Sequence, residues 1–158
     1  MILVNSRRWQ QFEPLVAALS PDLGRYFRAS MRCWCGLEVR PYPLADWHVW
    51  IAEDDGRPVG VTGLYREVGA PETLGWIGWF GVLPEMRGSG FGTSILQLTE
   101  ERAVGLGLDC IQVYTDTGAE GASGFYLSNG YSERRGPGQI GRQRSASAAS
   151  MVLSKRLL

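Results

Sequence analysis

Apolar and polar positions along this chain change period several times, and each change marks an element. In WQQFEPLVAALS the apolar residues stand at 9, 12, 15, 16 and 19, near the helical repeat, with Pro14 setting an early turn. SPDLGRYFRASM predicts a restart, with Ser20 as N-cap, Pro21 at the first helical position and Asp22 at the positive helix end. Residues 7–32 therefore read as helical but broken, and Gly36, Pro41 and Pro43 end that region. DWHVWIAED and RPVGVTGLYRE are rich in β-branched and aromatic residues and flank DDG, which predicts a hairpin. TLGWIGWFGV reads as a third strand of the same antiparallel set. From Gly90 to Leu106 the helical period returns, with Phe91, Ile95, Leu98, Ala103 and Leu106 on one broad face and Gln97, Glu100 and Glu101 opposite. Gly107 suits its C-terminal cap. CIQVYTD predicts a short strand and GASGFYLSNG a short helix closed by Gly130. YSERRG and ASMVLSKRLL read as a closing pair of strands around a basic loop, PGQIGRQRSASAAS. With no internal repeat or linker, this order predicts a single α+β domain, 1–158, on a mixed sheet.

The composition changes this picture little. A chain of 158 residues, 44% hydrophobic and 20% charged, is large enough for one core and ordinary for a soluble globular protein. Sixteen basic and sixteen acidic residues cancel, so no net field draws the protein to nucleic acid or an anionic membrane, and neither is expected as a partner. Recognition of an anion must then be local. The opening MILVNSRRWQ falls short of the roughly 7–15 apolar residues of a secretory leader, and no run approaches the roughly 20 of a membrane helix. Cys33, Cys35 and Cys110 read as free thiols in a reducing cytoplasm. With His48 the sole histidine, no metal site is expected.

The local candidate is GWFGVLPEMRGSGFGTSIL, residues 78–96. An apolar strand ends at Pro84, Arg87 follows, and glycines at 88, 90 and 92 lead into a helix. Glycines let backbone N–H groups approach an anion, and a helix N-terminus adds about half a positive charge. The spacing is not the dinucleotide G-x-G-x-x-G, and a Walker loop would end in Gly-Lys-Ser/Thr. A pyrophosphate without either nucleotide fold is the expectation.

At this point the chain resembles a family. VLPEMRGSGFGTSIL is similar to the acetyl-coenzyme A signature of the GNAT superfamily of N-acetyltransferases, R/Q-x-x-G-x-G/A, with Arg87, Gly90 and Gly92 at the fixed positions. Further on, ASGFYLSNGY resembles the second motif, A-x-x-F-Y-x-x-x-G-F, through Ala122, Phe125, Tyr126, Gly130 and Tyr131. The resemblance implies the GNAT fold, a central, mostly antiparallel twisted sheet with a splayed pair of strands, flanked by helices. It implies that the backbone of Phe80, Gly81 and Val82 pairs with the pantetheine arm. Arg87, Gly88, Ser89, Gly90, Phe91, Gly92 and Thr93 would hold the pyrophosphate of acetyl-CoA. Tyr126 would contact the cofactor and protonate its departing thiolate. The chain departs from the family at Ala119, where many members carry a cofactor-binding asparagine.

Other roles stay open. Glu72 is the first candidate for the general base and Asp116 the second, while His48 has a suitable reference pKa near 6.5. Some of Trp34, Trp47, Trp50, Trp76 and Trp79 are expected in the acceptor cleft, since aromatic faces suit an organic amine. Arg134, Arg135, Arg142 and Arg144 read as solvated surface, with the cofactor's 3′-phosphate or an acidic acceptor as the alternative ligand. The expected activity is direct acetyl transfer from acetyl-CoA to the primary amine of a small molecule. Acetylation of a protein amino terminus or lysine, or a non-catalytic acyl-CoA sensor, are the rivals, and a homodimer is left open.

Overall fold

The computed structural model describes residues 1–39, 43–116, 121–134 and 150–158. Ala119, Arg135, Arg142, Arg144 and most of the basic loop lie outside the described residues. In chain order the elements are β1 (Ile2–Asn5), α1 (Trp9–Leu23), α2 (Phe27–Trp34), β2 (Leu44–Asp54), β3 (Arg57–Glu67) and β4 (Leu74–Val82). After a short 3₁₀ turn at Pro84–Met86 come α3 (Phe91–Gly105), β5 (Cys110–Asp116), α4 (Ala122–Ser128), β6 (Ser132–Glu133) and β7 (Ser150–Arg156). The strands form one seven-stranded sheet in the order β1-β2-β3-β4-β5-β7-β6. β4 and β5 run parallel and the other neighbours antiparallel.

Local chemistry explains most of these elements. Asp55 and Gly56 both take positive φ, 48° and 72°, the backbone that a two-residue turn between right-twisted strands requires. Gly107, at φ 82°, closes α3. Its N–H reaches the Val104 carbonyl at 2.9 Å and that of Leu108 the Ala103 carbonyl at 3.0 Å, so the last carbonyls are satisfied.

Three readings of the sequence need correction. Helix α1 does not break at Ser20 but runs through Pro14 and Pro21 to Leu23. The two prolines are seven residues apart and lie on the exposed side of α1, and the carbonyls they leave unpaired, on Gln10 and Ala17, belong to exposed residues that water can reach. The Ser20 hydroxyl caps nothing and donates to the Val16 carbonyl at 2.6 Å. The break falls at Gly24, whose φ is 85°. On α3 the buried stripe is Ile95, Leu96, Thr99 and Ala103, with Leu106 half exposed. Finally, residues 2–5 form an edge strand, which so short a stretch does not announce; it pairs antiparallel with β2, Ile2 opposite Glu53 through Asn5 opposite Trp50.

The sheet has a core on each side. Helices α3 and α4 cover one face, burying Trp50, Leu64, Ile77, Ile95, Leu96, Ile111, Val113 and Leu153. Helices α1 and α2 cover part of the other, with Phe12, Leu15, Leu19, Phe27 and Trp34 over Val49, Ile51 and Val61. On the α3 face the hydroxyls of Thr62 and Thr99 meet at 2.9 Å, so this buried polar pair satisfies itself.

β3 and β4 are out of simple register once. Val61 faces Gly81 and Gly63 faces Gly78, so Thr62 stands opposite both Trp79 and Phe80. Such a β-bulge puts one extra residue in β4 and bends it. Trp79 carries the strain, with φ of 56°, an outlier for a bulky side chain. Gly63 makes room for it, because a Cβ there would come within 2.7 Å of the Trp79 ring and 2.8 Å of the His48 carbonyl. We expect Gly63→Ala to destabilise the domain by about 1–3 kcal/mol, the range for overpacking a filled site. The Trp79 environment should shift with it, so melting and tryptophan fluorescence check the outcome together. An unchanged melting temperature would contradict this account of the bulge.

Candidate active site

The site begins where two strands part. β4 and β5 pair only at Leu74–Cys110, Gly75–Ile111 and Trp76–Gln112. Beyond that point β5 continues beside β7, from Val113 opposite Leu153 to Asp116 opposite Ser150, and β4 continues beside β3. The edges of Ile77–Val82 and Val113–Asp116 that face each other are therefore not paired to one another. An extended polar chain laid between them would meet backbone donors and acceptors on both sides. Thr115, on this length of β5, has a buried hydroxyl without a hydrogen-bond partner.

The glycine loop lies at the open end of this split. Gly88 and Gly90 have φ of 78° and 83°, the left-handed region where a side chain is strained. Gly90 is the N-cap of α3, and no side chain caps that helix. Its first N–H groups are thus left for a ligand. Gly92 has a different reason to be glycine: a Cβ there would sit 3.3 Å from Phe125, so it lets α4 close against α3. The Arg87 guanidinium turns back, donating to the Val82 carbonyl at 3.0 Å and to Asp22 at 2.7 Å. It ties the end of β4 and the last turn of α1 to the loop, and Asp22, seen from the sequence only as a helix-end charge, is its partner.

Tyr126 projects from α4 toward the bulged stretch of β4. Its ring packs against Phe80, Phe125 and Tyr131, with centroids 6.0, 5.1 and 5.3 Å away. Among the described residues no group hydrogen-bonds its hydroxyl. Burial pushes its pKa well above the ordinary phenol range, because desolvation penalises the phenolate. It is a neutral hydroxyl, able to donate.

On the other face of the sheet, rings line up across the strands. Tyr114 of β5 stacks on Trp76 of β4 at 4.5 Å, Trp76 lies 6.3 Å from Tyr65 of β3, and Tyr65 lies 5.7 Å from Trp79. Trp79 continues to Trp47 of β2 at 5.4 Å and Trp47 to Trp34 of α2 at 5.1 Å. Gly78, at the root of the split, lets the Tyr65 ring lie close against β4: a Cβ there would come within 3.2 Å of it. Of the tryptophans singled out in the sequence, Trp47, Trp76 and Trp79 join this row near the split, while Trp34 is core at its far end. Trp50 is core of the opposite face. Tyr65 and Tyr114 escape a sequence reading, because membership depends on strand register.

The remaining candidates scatter. Glu72 is exposed in the turn before β4, at the opposite end of that strand from the glycine loop, roughly 25 Å away at the ordinary rise per residue. His48 stacks on Trp50 on the α3 face at 5.6 Å and sits 3.2 Å from Asp46, so the sheet separates it from the aromatic row. Asp116 ends β5 at the open end of the split. Arg134 is not merely solvated, since it donates to the buried Gln112 side chain at 2.9 Å. A recess of about 370 Å³ lies elsewhere, beside α3 and the end of β7. There Lys155 pairs with Glu100 at 2.9 Å and Tyr131 donates to Glu100 at 3.2 Å, a buttress between elements.

Comparison with known proteins agrees with this geometry. Residues 13–131 match the sequence model of the acetyltransferase (GNAT) family. No curated protein matches the sequence. Among solved structures, an acetyltransferase of the GNAT family from Staphylococcus aureus Mu50 superposes with a TM-score of 0.73 at 14% identity, covering 99% of each chain. An aminoglycoside 6′-N-acetyltransferase complexed with coenzyme A gives 0.70 at 16% identity, over 100% of this chain and 98% of that one. Tetrahymena GCN5 gives 0.67 at 13% identity, over 96% and 89%. At such identities these neighbours speak for the fold alone; the family match spans the parted strands, the glycine loop and α4 together, and on that ground the chain belongs to the acetyltransferase (GNAT) family.

Proposed function

We infer that this acetyl-CoA-dependent N-acetyltransferase passes its acetyl group directly to the primary amine of a small molecule. The observation that carries the reading is the parting of β4 and β5 between an uncapped helix N-terminus on one face and an aromatic floor on the other. Acetyl-coenzyme A supplies the acetyl group as a thioester and leaves as a thiolate. The first-turn N–H groups of α3, with the backbone of Gly88–Gly90, hold the pyrophosphate. The free edges at Phe80, Gly81 and Val82 accept the amides of the pantetheine arm, with Thr115 opposite. Arg87 acts by bracing the loop, because its guanidinium is already engaged by Val82 and Asp22.

Tyr126 holds the proton that the thiolate takes up. A neutral, buried phenol fits that task better than a phenolate, which could not donate. Direct transfer is favoured over an acyl-cysteine intermediate, because burial pushes the Cys35 and Cys110 thiols up, away from the thiolate that such chemistry needs. Cys110 also opens β5 at the end away from the loop. The small-molecule acceptor rests on the floor of rings, a surface that takes up a compact organic body more readily than an extended charged peptide.

Gly90→Val should weaken coenzyme A binding about tenfold or more while the domain stays folded. A left-handed backbone costs a side-chain-bearing residue roughly 1–2 kcal/mol, and the loop would relax out of its anion-binding shape. Calorimetric titration with coenzyme A decides, and unchanged affinity would refute the loop's role.

Tyr126→Phe should lower turnover by about 10²–10⁴-fold, the usual contribution of a general acid. Coenzyme A affinity should change far less. Since burial raises the folded-state pKa, the hydroxyl stays protonated above the pH at which a free phenol ionises. Turnover in the wild type should therefore show no alkaline fall from this group up to about pH 10. Full activity of the variant, or an alkaline fall that it abolishes, would place the proton donor elsewhere.

A further inference from the structure

We propose that Lys155 and Glu100 are positioning residues for the proton donor, fixing the end of α4 that carries Tyr126. This rests on the reading of Tyr126 above and adds the groups that hold its hydroxyl in place.

α4 is short. Its seven residues, Ala122–Ser128, make about two turns, too few to hold a helix by its own hydrogen bonds. Tyr126 stands in the last turn, and a tight reversal follows at Gly130, whose φ is 89°. There the Tyr131 N–H reaches back to the Tyr126 carbonyl at 3.1 Å, and the Gly130 N–H to the Leu127 carbonyl at 3.2 Å. The Asn129 side chain donates to the Phe125 carbonyl at 2.8 Å. All of these bonds join near neighbours in the chain and move with the helix. They shape its end but do not anchor it.

The anchor comes from β7. Lys155, the chain's one lysine, donates to the Asn129 carbonyl at 3.0 Å and to both carboxylate oxygens of Glu100, on α3, at 2.9 Å each. An ammonium has three donors in a compact head, and here each has an acceptor. A cation at a helix C-terminus also meets the negative end of the helix dipole. Tyr131 joins the group: its hydroxyl donates to Glu100 at 3.2 Å, and its ring lies 5.6 Å from the Lys155 ammonium and 5.3 Å from the Tyr126 ring. The ion pair is mostly shielded, with side chains 27% and 16% exposed for Lys155 and Glu100, so salt screens it little. Lys155 stands opposite Ile111, where β4 and β5 are still joined, and so does not line the split. Glu100 thus ties α4 to α3, the helix that begins at the glycine loop, and Lys155 ties both to the sheet. A reacting group displaced by about 1 Å can cost roughly 10²-fold in rate, so such a brace acts on turnover without touching either substrate.

The test is a double-mutant cycle. Lys155→Met combined with Glu100→Gln removes both charges together, so that neither is stranded. In the free protein, amide exchange at Gly130 and Tyr131, read by NMR, should speed up about tenfold as the helix end loosens. Turnover is measured by thiol release from acetyl-CoA, with whichever of 2-phenylethylamine, spermidine and kanamycin the wild type acetylates fastest. It should fall about 10–100-fold, while coenzyme A affinity stays within about threefold. Introduced into Tyr126→Phe, the same pair should lower the remaining turnover by less than about threefold, because the donor it positions is already gone. Unmoved exchange or turnover in the folded variant would overturn the proposal, and so would an equal loss in both backgrounds, which a merely structural role produces. Should the pair fail to fold, Glu100→Gln alone keeps an acceptor for Lys155, and its smaller loss must show the same dependence on Tyr126. Tyr126→Phe by itself separates the two readings. If it keeps full turnover, the donor reading falls; if it loses turnover but the pair does not, only the positioning role falls.

Discussion

The structure turns on a pairing that stops. β4 and β5 share a parallel ladder for only a few residues, after which each keeps its other neighbour and abandons this one. Unpaired edges in the middle of a sheet are expensive, because each backbone group there forgoes a hydrogen bond unless water or a ligand replaces it. A sheet that were only a scaffold would close this gap. Both flanking cores are continuous, so the parting is imposed by the strands themselves, and it supplies a slot open to both faces.

The bulge is what lets β4 leave. An extra residue opposite Thr62 bends β4 away from β5 while it stays bonded to β3. That bend also shifts the side-chain phase of β4, so that Trp79 turns to the ring face while Phe80 faces Tyr126. Without the shift these residues would exchange surroundings. The chain thus spends its backbone strain at the position that separates the α3 face from the ring face, and Gly60, Gly63, Gly78 and Gly81 crowd around it because neighbouring atoms already occupy the space a Cβ would need.

This explains which features could be read in advance. The hairpin at Asp55–Gly56, α3 with its Gly107 cap, and the glycine loop are local devices, in which sequence neighbours settle the geometry. The place of Tyr126 on α4, against Phe80, agrees with the motif that singled it out. The continuity of α1 was not, because packing of Phe12, Leu15, Val16 and Leu19 on the sheet outweighs two prolines whose lost donors face water. Strand β1 was missed because its identity comes from its partner. The pairing of Asp22 with Arg87 spans 65 residues, and the row through Tyr65 and Tyr114 exists only once the register is known. Glu72 was suggested by its nearness in sequence to β4, and the turn that carries it lies at the other end of that strand from the glycine loop.

A chain with no net charge must also hold a highly charged cofactor. Among the described residues no basic patch stands at the loop, since the guanidinium of Arg87 is balanced by Asp22. On the reading proposed above, the pyrophosphate would meet a set of backbone dipoles fixed by two left-handed glycines and a helix start. Fixed dipoles need no reorganisation when the charge arrives, and they leave none exposed when it departs. Transfer releases a proton from the amine and returns one to the thiolate, so total charge is conserved across the split. A site built from dipoles and rings, with a neutral phenol between them, suits a reaction whose charge is only displaced from one side of a sheet to the other.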